Sequence, residues 1–177
     1  MTGLEIAQEA QYNHTNKTID NAYAMKYING AKRKLTNLYD TACEQTTTTI
    51  TCSDSSDYYD LPSDCLRIYR VRDSDSEDYS PADYSVELGQ IKFNDEDTYT
   101  VRYLKEYADI SSMASTPGIN AAYHTVIALY VAALKLQDLE PDKAAALLQQ
   151  FYTEAKITDN RLKRLNRKGR IPAPPFR

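Results

Sequence analysis

Tryptophan is absent from this 177-residue chain, and histidine (two), cysteine (three), glycine (five) and proline (seven) are scarce. Each scarcity excludes something. Five scattered glycines rule out a collagen-like or linker-dominated chain. They also leave no glycine-rich loop to cradle a phosphate. Cys43, Cys52 and Cys65 are odd in number and loosely spaced, which does not suit a disulfide framework. No C-x-x-C or H-x-x-x-H element is present, and His14 and His124 lie far from the cysteines, so no metal or cofactor is expected. Three reduced thiols in a cytoplasmic setting are expected instead. No apolar run approaches the roughly 20 residues that span a bilayer. The N-terminal residues lack the basic and long apolar regions of a secretory signal. Length favours a single domain with one sizeable core.

Tyrosine is abundant, at 15 residues. Its large area and polar tip suit both packing and subunit interfaces. Charge is segregated. From 156 to 177 there are eight basic residues and only Asp159 of opposite sign, so a basic end of +7 follows an acidic body of −11. Arg161, Lys163 and Arg164 form a basic helix end, and an acidic partner or nucleic acid is the expected counterpart.

Thr2 and Glu5 fit a capping box, so a helix is expected over 3–11. Ala24, Ile28, Ala31, Leu35, Leu38 and Ala42 step by three or four and predict a helix over 19–42. Asn29-Gly30 lies inside that stripe; the phase is kept on both sides, so one helix is expected at a cost of about 1 kcal/mol for the glycine. Residues 46–107 alternate between β-branched or tyrosine-rich runs and polar turns, which predicts a small antiparallel sheet with a hairpin turn at Gly89-Gln90. Nine consecutive apolar residues, 126–134, mark a central buried helix over 117–137. Pro141 opens a last helix over 141–166. Beyond it, Arg167, Lys168, Arg170, Ile171, Pro172, Pro174, Pro175, Phe176 and Arg177 belong to a proline-rich arm over 167–177. Its prolines favour an extended chain reaching on the order of 30 Å. The fold class is therefore α+β: a bundle of three or four helices, forming one domain over 1–166, with a small inserted antiparallel β-sheet and an extended C-terminal arm.

No catalytic constellation emerges. There is no G-x-S-x-G elbow, and His124 sits where a buried structural histidine is expected. The acidic run from Asp73 through Asp75, Glu77 and Asp78 lacks the glycine and the terminal glutamate of a calcium loop; Tyr84 stands at the twelfth position. With Tyr79 and Tyr84 it is expected to be solvated or to form an interface with another subunit or a partner protein. The chain is not expected to be an enzyme.

Four passages carry a resemblance. Ile28-Asn29-Gly30-Ala31 lies midway in the first long helix. Tyr59-Asp60-Leu61-Pro62-Ser63-Asp64 leads through Cys65 into the apolar strand at Leu66 and Ile68. Tyr99-Thr100-Val101-Arg102-Tyr103 follows the glycine-containing hairpin, and Pro117 with His124 introduces the long apolar helix. In this order they resemble the head–tail connector (adaptor) family of tailed bacteriophages, over about 18–166. The resemblance implies a non-enzymatic virion protein of the phage neck, assembled in the host cytoplasm. It implies a ring of twelve copies around a channel for DNA. It also implies a C-terminal arm docked in the portal protein and a stopper or tail protein on the far side. Ile171 and Phe176 would be the arm's apolar anchors. Two other readings are carried forward: a tail-tube or gatekeeper ring of a short-tailed phage, and a DNA-binding protein that grips phosphates through its basic end.

Overall fold

The run of nine apolar residues forms the middle of a helix that is buried on almost every side. The computed structural model describes residues 1–75 and 77–168, the side chains of 167 and 168 excepted. The chain divides into two units: Met1–Ala42 together with the residues from Ala108 on, and Cys43–Tyr107.

The helical unit contains α1 (Gly3–Glu9), α2 (Asn21–Leu38), α3 (His124–Leu136) and α4 (Pro141–Lys168). Within α3, residues 126–133 are all buried. Ala24, Ile28, Ala31 and Leu35 of α2 and Ala144, Leu147, Phe151 and Ala155 of α4 supply the facing stripes, at helical spacing. Ile28, Leu35 and Phe151, each fully buried there, contribute about 1.5–3 kcal/mol apiece.

Thr2 and Glu5 form the expected capping box at 3.3 and 2.8 Å. The first helix does not stop at Gln11. It continues as a π-helical segment, Ala10–Thr15, and ends at Asn16, whose left-handed φ of 54° lets its N–H reach the Gln11 carbonyl. α2 passes straight through Asn29-Gly30 but ends at Leu38; Tyr39 turns extended, and Asp40–Ala42 form a 3₁₀ turn. The helix expected from 117 starts later. Ile119 closes a turn on Pro117, Asn120 caps the 3₁₀ turn Ala121–Tyr123, and α3 follows to Leu136. α4 runs to Lys168, so the backbone of Arg167 and Lys168, expected in the arm, is helical.

The β unit holds two sheets where one was expected. Strands β1 (Glu44–Thr51), β3 (Cys65–Arg72), β4 (Asp78–Tyr79) and β7 (Thr98–Lys105) form one in the order β1-β7-β3-β4. Strands β2 (Tyr59–Asp60), β5 (Tyr84–Glu87) and β6 (Gln90–Phe93) form the other in the order β2-β6-β5. The reason is aromatic. Phe93 of one sheet stacks on Tyr99 of the other at 3.8 Å and 9°, and the two sheets close on a second core with Ile50, Val71, Ile91 and Val101. Along β7, Tyr99, Val101 and Tyr103 are buried, as alternation required. The hairpin turn is Leu88-Gly89, one residue earlier than expected, because Glu87 pairs with Gln90. Both turn residues have positive φ, 49° and 82°.

Candidate interaction surfaces

Charge follows the two units. The β unit, 43–107, carries fifteen carboxylates against six basic side chains, a net −9; the remaining residues carry fifteen basic against ten acidic, a net +5. The antiparallel register puts the end of β1, the end of β3 and the start of β7 at one end of the larger sheet. The loops leaving that end hold Asp54 and Asp57, then Asp73, Asp75 and Glu77, then Asp95, Glu96 and Asp97. They are tied together. The Cys52 N–H donates to the Asp97 carbonyl at 2.8 Å, and the Ser74 N–H and hydroxyl donate to the Asp97 carboxylate at 3.2 and 3.0 Å. The N–H groups of Thr98 and Ser74 hold the Asp97 carboxyl below its usual range.

The residues expected at an interface divide by their partners. Asp73 closes its own loop by accepting the Glu77 N–H at 2.8 Å. Asp78 takes a guanidinium hydrogen bond from Arg70 and another from Arg72 at 3.0 Å, which depress its pKa, the Arg70 bond most. Tyr79 donates to Asp95 at 3.0 Å and sets its ring edge-on to Tyr99. Tyr84 is half-buried against the second core, and burial raises its pKa. Asp75 and Glu77 are exposed.

At the basic helix end, Arg161 and Arg164 are exposed, whereas Lys163 pairs with Asp159 at 2.8 Å. Asp159 is buried and accepts from the Thr41 hydroxyl, also at 2.8 Å, so Lys163 caps an internal network instead of standing free. Arg170, Ile171, Pro172, Pro174, Pro175, Phe176 and Arg177 lie outside the described residues, as do the side chains of Arg167 and Lys168.

A groove of about 470 Å³ is lined by Glu9 of α1, by His14 of its π-helical extension, and by α3 and α4. Its lining includes buried Val126 and Leu129, exposed Ile157, and the charged Glu9, Glu154 and Arg161. Local patterns gave no signal for it, because its walls come from helices distant in sequence. The same holds for an anchor at the return from the β unit. Lys32, 2% exposed, reaches Asp109 at 2.8 Å, and Arg33 pairs with the same carboxylate. Burial pushes the Asp109 pKa up, but Lys32 and Arg33 outweigh it and the net shift is downward.

Buried His124 lies with Nδ1 2.8 Å from the Met1 amino group. Among the described residues no group of three or more His, Cys, Asp and Glu is placed to hold a metal ion. No helix among them is long and apolar enough to cross a membrane.

Comparison with curated proteins finds no match. A family model does match, that of the SU10 adaptor protein, over residues 1–173. The match takes in both units and every passage that carried the resemblance to phage adaptors. The chain therefore belongs to the SU10 adaptor protein family and is a structural adaptor protein of a phage virion.

Proposed function

We propose that copies of this chain form a ring, of twelve by the family resemblance, that joins the phage portal to the tail around the DNA channel. Residues 167–177 dock into the portal, and the opposite side meets a stopper or tail protein. One observation carries the reading: the long helix α4 ends in a dense basic stretch that continues directly into the sequence Ile171-Pro172-Ala173-Pro174-Pro175-Phe176. Proline is already restrained, so such a segment loses little backbone entropy when it enters a cleft. Ile171 and Phe176 then anchor it, and the surrounding arginines pair with carboxylates.

A protein partner is favoured over duplex DNA as the main ligand, because the β unit at −9 repels phosphates. The same repulsion suits a channel wall along which DNA slides. The test is co-sedimentation of the full chain with portal rings, against a chain lacking 169–177. Binding by the full chain alone supports the reading. Equal binding by both overturns the arm's role, and retardation of duplex DNA with a steep salt dependence in place of portal binding favours the DNA-binding alternative.

A further inference from the structure

α4 leaves an apolar track in water. Ile157 is 53% and Leu165 56% exposed, and with Arg161 between them they step by four along one side of the helix. At its Ile157 end the track opens into the groove, where Val126 and Leu129 are buried. The groove lining carries two carboxylates, Glu9 and Glu154, against the single guanidinium of Arg161. Glu9 lies 3.9 Å from His14, and Glu154 enters no ion pair among the described residues. A space of about 470 Å³ falls in the size range of sites that take small ligands and side-chain anchors.

Residues 169–177 have the complementary chemistry. Ile171 and Phe176 are apolar, Arg170 and Arg177 are cationic, and no Asp or Glu is among them. They also begin where the track ends. α4 runs to Lys168, and the next residue is Gly169, of the type that most readily takes the left-handed turn closing a helix. Counted back from Lys168 along α4, Leu165 lies about 5 Å away and Ile157 about 16 Å away. An extended proline-rich chain advances about 3.1 Å per residue. After a turn at Gly169-Arg170, Ile171 therefore comes level with Leu165, and Phe176 comes level with Ile157 and Glu154.

We infer that in the free chain residues 169–177 fold back along α4 of their own copy, with Ile171 on Leu165, Phe176 in the groove against Val126, Leu129 and Ile157, and Arg177 toward Glu154. The short tether decides for the chain's own groove over that of a second copy. It sets an effective concentration in about the millimolar range, well above that of separate copies in dilute solution. The inference rests on the reading of this segment as the portal-docking arm and adds its regulation. Groove and portal compete for one arm, so a copy that has not met the portal keeps its arm covered.

The chain has no tryptophan, so Phe176→Trp places a single fluorophore on the anchor. The full-length variant is compared with the same protein carrying Ile157→Asp, a change at an exposed position, and separately with one carrying Glu154→Arg, which leaves the apolar lining intact. Blue-shifted emission and weak acrylamide quenching are expected in the parent, both independent of protein concentration. Both groove variants should show red-shifted, strongly quenched emission. For a docked-to-open ratio of about ten, each should also bind portal rings about tenfold more tightly, because its arm is always open. Solvent-exposed emission in the parent, or shielding kept in both groove variants, overturns the inference; portal binding that persists then leaves the arm reading standing. Shielding that grows with protein concentration assigns the arm to a second copy and also overturns the inference. Shielding in the parent without portal binding by any of the three proteins supports the groove contact and overturns the arm's portal role.

Discussion

Asn29 holds Ile110 by both of its backbone groups. The Asn29 amide donates to the Ile110 carbonyl at 3.1 Å, and its side-chain oxygen accepts the Ile110 N–H at 2.9 Å. The residue that suggested a turn in α2 thus fastens the segment by which the chain re-enters the helical unit. Asn29→Ala strips both bonds from a part-buried backbone and is expected to cost about 1–3 kcal/mol. Urea unfolding measures it; an unchanged midpoint contradicts the clamp.

Gly3 of α1 and Gly30 of α2 are expected to respond to substitution with opposite signs. A Cβ at Gly3 would stand 3.0 Å from Ile110 Cδ1 and 3.3 Å from the Met113 carbonyl oxygen, so Gly3→Ala forces a shift of packed atoms, at about 1–3 kcal/mol. A Cβ at Gly30 meets only the Tyr130 ring, at 3.9 Å. Gly30→Ala should therefore stabilise the helix interior by about 0.5–1 kcal/mol. Thermal unfolding of both variants decides whether close approach or helix propensity governs each site.

Stability should fall as pH drops through about 6.5 and below. Burial, and then the nearby amino group, push His124 below its ordinary value of 6.5, and burial lowers His14 as well. As pH drops through that ordinary value the unfolded chain takes up protons before the folded one does. The stabilisation is thus complete above it and is lost as pH falls toward the lower folded-state values. His124→Gln should reduce the slope of melting temperature against pH in this window; an unaltered slope would assign the effect elsewhere. The depressed carboxyls of Asp78, Asp97 and Asp109 act only at more acidic pH, where stability is lost as they take up protons.

Removing residues 169–177 should leave the fold intact. The α4 side chains of the core, Ala144, Leu147, Phe151 and Ala155, all precede the cut. Far-ultraviolet circular dichroism should match the full chain, while portal binding is lost. The full-length chain, sized without portal, is expected to be monomeric at micromolar concentration and to assemble on the portal.

Much of this architecture was legible because it rests on periodicity. The stripe through Ala24, Ile28, Ala31 and Leu35 and the apolar block of α3 each state their own burial, and so does the alternation of Tyr99, Val101 and Tyr103. Element ends were less legible where a single distant partner decides them. The π-helical extension past Gln11 depends on Asn16 turning left-handed, and the start of α3 depends on the Asn120 cap. The division into two sheets depends on Phe93 meeting Tyr99, a pairing that no local pattern announces. Of the candidate surfaces, the basic end could be read from composition. The groove, the Lys32–Asp109 anchor and the strained Leu88 could not, since each is defined by neighbours or by a backbone angle.

The interruption of the helical unit by residues 43–107 also bears on the order of events during synthesis. The β unit is one unbroken stretch and holds all of its own core partners by the time residue 107 has left the ribosome. α1 and α2 emerge first but must wait, with Ile6, Ile28 and Leu35 uncovered, until α3 and then Phe151 of α4 arrive. Translation therefore completes the inserted module before the scaffold that carries it, and the earliest segments to appear are among the last to be buried.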